Sequence, residues 1–150
     1  MKTYIFMLLA ICLVASGCTS FSGLKPVYPD VGNPNMPKQI DSLQPTFKWE
    51  ASAGSDATYD LIVYEGIKIE SFWEGVKRSV GKEIYYKEGL GITEHMIEKP
   101  LEPAREYYWT VRTRHGNNVS DWAKYDYTLF LGTAYLKAGN QPFIFRTPSQ

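Results

Sequence analysis

The sequence reads Leu101-Glu-Pro103-Ala-Arg-Glu-Tyr107-Tyr-Trp109-Thr-Val111 across a proline-containing turn and the segment that follows it. After the turn, apolar and polar residues alternate, so that Tyr107, Trp109 and Val111 share one face. Successive side chains of a β-strand point to opposite faces of the sheet. This segment is therefore predicted to be a strand with one buried side.

The same period of two recurs on either side of this strand. It is found in residues 45–49, 59–64 and 143–147, and turn-forming residues such as Gly54-Ser-Asp56 and Gly116-Asn-Asn118 lie between the segments. Seven Phe, eleven Tyr and four Trp also favour sheet over helix. Short strands separated by turns predict an all-β chain folded as an antiparallel β-sandwich.

The corner before the predicted strand carries a family resemblance. Leu101, Pro103 and Tyr107 form a Leu-x-Pro-x-x-x-Tyr pattern that resembles the corner and sixth strand of a fibronectin type III domain. The resemblance implies that Tyr107 is a tyrosine corner, with its ring in the core and its hydroxyl bonded to an upstream backbone group. It also implies that Leu101 plugs the corner and that Trp109 lies in the core.

A second segment extends this resemblance towards the amino terminus. Pro45-Thr-Phe47-Lys-Trp49 is similar to the second strand of the same family, with Trp49 as the core tryptophan. By this resemblance, residues 38–150 form one fibronectin type III-like domain with immunoglobulin-like topology.

Two stretches of this domain are insertions relative to the family pattern, residues 66–83 and residues 123–142. In the first, Phe72, Val76 and Val80 would share one side of a short helix, although Gly75 in its middle weakens that interpretation. In the second, alternating residues predict an extra hairpin that turns near Gly132.

Aromatic residues on the two insertions form a candidate binding surface. Exposed aromatics on loops are good contacts for protein partners or sugars. The alternative is that they fold back and cover an edge or an end of the sandwich. The residues concerned are Phe72, Trp73, Tyr125, Tyr127 and Tyr135.

The amino-terminal residues predict export and lipidation. Lys2 precedes an apolar run, and residues 1–17 have the build of a secretory signal peptide. The run is shorter than the about 20 residues that a transmembrane helix needs. Leu13-Val-Ala-Ser-Gly-Cys18 resembles the bacterial lipobox, which implies that Cys18 becomes the first residue of the mature chain and carries palmitate-type acyl chains. The other reading is an ordinary signal peptide with an incidental cysteine.

Lipidation would give the protein a membrane as its first partner. Two or more acyl chains hold a protein at a membrane for practical purposes. In a Gram-negative host, an Asp after the lipobox cysteine retains a lipoprotein at the inner membrane, so in such a host Thr19 favours the outer membrane. Residues 18–37, with four prolines, are predicted to be a lipidated amino terminus and a Pro-rich tether.

Several function classes have no support in the sequence. Cys12 lies in the leader and Cys18 is used for lipid, so no disulfide and no thiolate metal site are expected. His95 and His115 have no partner at metal-ligand spacing. Sixteen basic residues against sixteen acidic ones create no field for nucleic acid. With no nucleophile and base in a recognisable pattern, neither an enzyme nor a cofactor is expected.

The resulting expectation is a non-enzymatic lipoprotein of the bacterial envelope that binds or scaffolds another envelope protein. A carbohydrate- or peptidoglycan-binding module that uses the aromatics of the insertions is the alternative. An enzyme with its chemistry on loops is a third hypothesis.

Overall fold

The computed structural model describes residues 15–54, 56–131 and 134–149. Its regular structure consists of twelve β-strands, and the described residues contain no helix. The all-β expectation is therefore confirmed.

The strands are, in chain order, β1 Ala15–Ser22, β2 Pro26–Tyr28, β3 Lys38–Gln39, β4 Thr46–Trp49, β5 Thr58–Ser71, β6 Gly75–Leu90, β7 Glu94–Met96, β8 Glu106–His115, β9 Asn118–Val119, β10 Lys124–Leu131, β11 Ala134–Gln141 and β12 Phe143–Arg146.

These strands form three sheets. The largest has six strands in the order β3-β12-β8-β5-β6, with β9 paired to β8. A second sheet has the order β2-β4-β7 and a third the order β1-β10-β11. All pairs are antiparallel except β3 with β12. The predicted strand at Tyr107 is β8, which lies between β5 and β12, so its alternating apolar side chains reach the middle of the core.

The core lies between the six-stranded sheet and the β2-β4-β7 sheet. The ring of Phe47 on β4 is 5.0 Å from Trp109 on β8 and 5.9 Å from Phe145 on β12, measured between centroids. Trp49 lies 5.5 Å from Tyr59 on β5. Because the apolar faces of the two sheets pack on each other, the architecture is compatible with a β-sandwich.

The amino-terminal segment differs from the expected tether. β1 pairs with β10 along its whole length, and β2 pairs with β4. Phe21 and Tyr28 pack against the core. The tether prediction for residues 18–37 is wrong over these two strands, because β10 and β4 each have an open edge that the segment covers. The prolines misled the prediction: Pro26 begins an edge strand, a position that tolerates proline.

The first insertion is part of a long hairpin and contains no helix. β5 and β6 remain paired as far as Ser71 opposite Gly75. The pairing of β5 with β8 ends earlier, at Glu65, so the end of the hairpin extends past the rest of the sheet. Gly75 has a φ of 74°, a left-handed conformation that suits a hairpin turn and interrupts a helix. The prediction of a short helix with Phe72, Val76 and Val80 on one side is therefore wrong. The second insertion does form the predicted hairpin, β10 with β11, while its turn at Gly132 lies outside the described residues.

Candidate functional site: two hairpins and Cys18

The side chain of Cys18 is exposed in the middle of β1. The pairing of β1 with β10 sets Cys18 opposite Thr128, and three residues further along Phe21 lies opposite Tyr125. The ring of Phe21 contacts Phe143 edge to face, with 6.3 Å between centroids. The sheet therefore holds Cys18 at a defined place on the protein, within a few residues of the core.

Cleavage before Cys18 would change this sheet. It would remove Ala15, Ser16 and Gly17, which lie opposite Leu131, Phe130 and Leu129 of β10. β1 would then begin at Cys18, and the last three residues of β10 would extend beyond the lipid-bearing residue with only β11 as a neighbour.

The β10–β11 hairpin is uncharged at its end. The sequence from Leu129 to Leu136 contains no Asp, Glu, Lys or Arg. Leu129 lies opposite Leu136, and Phe130 lies opposite Tyr135. Phe130, Tyr135 and Leu136 are 41%, 66% and 62% exposed. Directly opposite residues share a face of a sheet and successive residues alternate, so both faces of the hairpin end are apolar.

The turn of the β5–β6 hairpin presents a second exposed aromatic group. Phe72 and Trp73 are 93% and 89% exposed, and their rings meet edge to face at 5.1 Å. Charged residues stand directly beside them, as in the ion pair between Lys77 and Glu74 at 2.7 Å. This turn therefore combines two large aromatic rings with charges of both signs.

The stem of the β5–β6 hairpin is fastened to β8. Arg78 donates two hydrogen bonds to the carboxylate of Glu106, at 2.8 and 3.2 Å, and both side chains are nearly buried. At Gly66 a Cβ atom would lie 2.6 Å from the carbonyl oxygen of Glu106, so this approach requires glycine. The strands that lead to the aromatic turn are therefore held in place against β8.

The five predicted contact aromatics do not form one surface. Phe72 and Trp73 are exposed on the β5–β6 turn and Tyr135 on the β10–β11 hairpin, while Tyr127 is half-buried. Tyr125 is only 1% exposed, and its ring lies 6.1 Å from that of Phe143. Burial raises the pKa of the Tyr125 hydroxyl. Its proposed contact role is wrong, because Tyr125 belongs to the hydrophobic core and packs against Phe143 of β12.

The predicted corner has the expected local geometry. The hydroxyl of Tyr107 accepts a hydrogen bond from the backbone N–H of Glu102 at 3.0 Å, and its ring stacks on Phe145 at 5.8 Å. Burial raises the pKa of the Tyr107 hydroxyl. Leu101 is buried beneath the corner, and Pro103 is exposed at its outside.

A charged cluster on the outer face of the large sheet was missed from the sequence. Asp60 on β5 is fully buried and accepts hydrogen bonds from Arg112 at 2.9 Å and from Arg114 at 2.7 and 3.1 Å. Burial raises the pKa of the Asp60 carboxyl, but the hydrogen bonds from Arg114, Arg112 and the Gly89 N–H outweigh this effect, so the pKa lies below its usual value. Both carboxylate oxygens of Asp60 already accept hydrogen bonds from within the protein, so we interpret the cluster as structural.

The guanidinium of Arg112 also lies 4.4 Å from the ring centroid of Trp122. Tyr108, on the same face of β8, is buried, and the side chains of Arg112 and Arg114 are only 21% and 27% exposed. The sequence does not reveal the pairing of Arg112 with Asp60, because the two residues are 52 positions apart in the chain.

Tyr85 and His95 join the edges of the two packed sheets. The Tyr85 hydroxyl lies 2.5 Å from Nε2 of His95, and the rings are 5.7 Å apart. Burial lowers the pKa of His95. Among the described residues, no group of three or more His, Cys, Asp or Glu side chains could hold a metal ion.

No protein-family model, no curated protein and no solved structure matches the chain. Within the part of the chain that the structure describes, no helix has the length and apolar character needed to cross a bilayer.

Proposed function

We propose that this protein is a lipid-anchored lipoprotein of the bacterial cell envelope, at the outer membrane, that acts as a non-enzymatic protein-binding or scaffolding module. The lipobox resemblance of residues 13–18 and the exposure of Cys18 support the anchor. The observation that carries the binding role is the pair Phe72 and Trp73, held almost fully exposed at the end of a fastened hairpin.

A fibronectin type III-like domain is the body of this proposal. The order β2-β4-β7 in one sheet and β6-β5-β8-β12 in the other supports an immunoglobulin-like topology. The hydrogen bond between Tyr107 and Glu102 supports the tyrosine corner. In this assignment β1, β10 and β11 are additions to the domain.

The composition of the β5–β6 turn favours a protein partner. Residues that dominate the binding energy of protein interfaces are enriched in Trp, Tyr and Arg and are surrounded by polar contacts. Trp73 supplies the aromatic anchor, and Glu74 and Lys77 supply the polar surroundings. A partner with an apolar pocket rimmed by charges of both signs fits this turn.

The experiment is recovery of partners from solubilised envelope with the full lipidated chain. The variant Phe72→Ala/Trp73→Ala is compared with the matched control Ile92→Ala/Met96→Ala, which removes exposed apolar side chains elsewhere. We expect a protein that is recovered with the parent and the control and lost with the turn variant. Equal recovery by all three chains, or no specific protein at all, would contradict the proposal.

Glycan binding is the second candidate, and a cleft on the protein favours it. The cleft has a volume of about 470 Å³ and is lined by hydroxyl groups together with Asp121 and Trp122; the hydroxyl-bearing residues are Ser22, Ser52, Thr113 and Ser120. Titration of tryptophan fluorescence with peptidoglycan fragments tests it. A response that Trp122→Phe abolishes and Trp73→Phe preserves would assign the ligand to the cleft, and no response would exclude this candidate.

A further inference from the structure

The end of the β10–β11 hairpin is built differently from the other exposed hairpin. A hairpin that lies in water, or against a protein with one side, carries apolar residues on one face and polar residues on the other. Here Leu129 and Leu136 occupy one face while Phe130 and Tyr135 occupy the opposite face. Leu129 and Leu136 border a cleft that they share with Asn33 and Asn35, but Leu136 is still 62% exposed, so both faces leave apolar surface uncovered by the protein. We call Leu129, Phe130, Tyr135 and Leu136 the hairpin tip.

The position of the hairpin tip relative to Cys18 indicates what covers this apolar surface. Cys18, Thr128 and Lys137 form one row across the three strands, since Cys18 lies opposite Thr128 and Thr128 opposite Lys137. The hairpin tip begins at the next row. At about 3.4 Å per residue, the described strand ends reach about 10 Å beyond Cys18.

The same row divides charged from uncharged sequence. Asp126 and Lys124 lie on the core side of the row, Lys137 lies in it, and every residue from Leu129 to Leu136 is uncharged. A cation at the level of the lipid headgroups, with tyrosine and aliphatic side chains beyond it, is the usual arrangement at a membrane interface.

We propose that the hairpin tip inserts into the interfacial region of the same bilayer that holds the acyl chains of Cys18. This inference rests on the lipid anchor of the proposed function and adds a second membrane contact to it. Interfacial elements bury their apolar side chains about 5–10 Å into the boundary between headgroups and acyl chains, which matches the reach of the tip. Two contacts hold the domain in one orientation, whereas an acylated residue alone lets it swivel.

The charges beside the other exposed hairpin separate its role from this one. Glu74 and Lys77 lie beside Phe72 and Trp73. Glu70 and Lys68 follow on β5, within a few residues of the turn. Insertion of that turn would bring acidic side chains to the lipid surface. We therefore assign the β5–β6 turn to binding a protein partner and not to membrane insertion.

The test measures the depth of single residues in the full lipidated protein. Leu136→Cys is labelled with an NBD fluorophore, which is specific because the mature chain has no other free thiol once Cys18 is acylated. Ile92→Cys, at an exposed apolar position in the turn before β7, is the matched control. The proteins are reconstituted in vesicles of phosphatidylethanolamine and phosphatidylglycerol, with or without lipids that carry a nitroxide near the headgroup. Tyr135→Cys is the second probe position, in case Leu136→Cys perturbs the hairpin.

We expect every variant to float with the vesicles and the NBD emission at 136 or 135 to shift to the blue and to be quenched by the nitroxide lipids, with neither effect at 92. Flotation without quenching at 136 and 135 overturns the inference and leaves the anchor in place. A blue shift without quenching also overturns it, because a second copy of the chain then covers the tip. Equal quenching at 92 overturns it too, and failure to float overturns the anchor itself.

Discussion

Arg78 and Glu106 form a nearly buried ion pair with two hydrogen bonds, which fastens the stem of the β5–β6 hairpin to the first residue of β8. β8 is the central strand of the large sheet and its inner face carries Trp109. The pair therefore connects the projecting hairpin with the strand in the middle of the large sheet. It adds a side-chain contact to the backbone pairing of β5 with β8, which ends at Glu65 opposite Tyr107.

Glu106→Gln should destabilise the protein by about 3 kcal/mol, because it leaves the Arg78 guanidinium nearly buried without its anion. Urea unfolding of the parent and the variant measures the change. Glu102→Gln is the control, since its pair with Arg105 is exposed, and it should cost less than about 1 kcal/mol. Equal effects of the two substitutions would show that the Arg78–Glu106 pair contributes no more to the free energy of unfolding than an exposed ion pair does.

Tyr107→Phe should lower the free energy of unfolding by about 1–3 kcal/mol, because the N–H of Glu102 loses its acceptor in a partly buried corner. Tyr135→Phe removes a hydroxyl from an exposed ring and should change stability by less than about 0.5 kcal/mol. Thermal unfolding of the three chains checks this. If Tyr107→Phe matches Tyr135→Phe, the corner hydrogen bond does not stabilise the fold.

The stability of the protein should fall in acid through Asp60. Its pKa is depressed in the folded state, so its contribution is complete above the unfolded-state pKa of about 3.9 and is lost as the pH falls through the folded pKa. Asp60→Asn should cost about 3 kcal/mol at neutral pH, because Arg112 and Arg114 lose their shared anion. The difference between parent and variant should shrink below about pH 4.

Urea unfolding of both chains from pH 7 down to pH 2 measures this difference. Glu94→Gln, which disrupts only the exposed pair with Lys48, serves as the control. A constant difference between parent and Asp60→Asn over this range would contradict the depressed pKa.

Cys18→Ser should abolish lipidation and processing. Mass spectrometry of the membrane-extracted parent should show a chain that begins at residue 18 and carries acyl groups, whereas Cys18→Ser should keep its leader. Cys12→Ser should behave as the parent, because Cys12 lies within the removed leader. An unmodified amino terminus on the parent, or identical masses for Cys18→Ser and the parent apart from the substitution itself, would exclude the lipid anchor.

Much of the fold could be predicted from local sequence patterns. The strands around Phe47, Leu61, Trp109 and Phe145 could be predicted because an alternating strand needs only its own residues to define a buried face. The corner at Tyr107 also lies within a few residues of its partner Glu102, so its motif is complete in the sequence.

The errors came from residues whose environment depends on distant partners. Tyr125 alternates like an exposed strand residue but lies beside Phe143. Residues 18–37 resemble a tether in composition, and only the free edges of β10 and β4 make β1 and β2 strands. The helix expected at Phe72 depended on a pattern that fits two structures, and Gly75 at the turn selected the hairpin.

The amino-acid order by itself determined that the chain is rich in β-strands and that its core rings alternate along them, because both properties arise between neighbouring residues. It also placed a lipobox-like cysteine at residue 18. The tertiary structure alone decided that Asp60 meets two arginines and that Cys18 shares a row with Thr128 and Lys137. Those relationships join residues far apart in the chain, and their energies exist only once the sheets have paired.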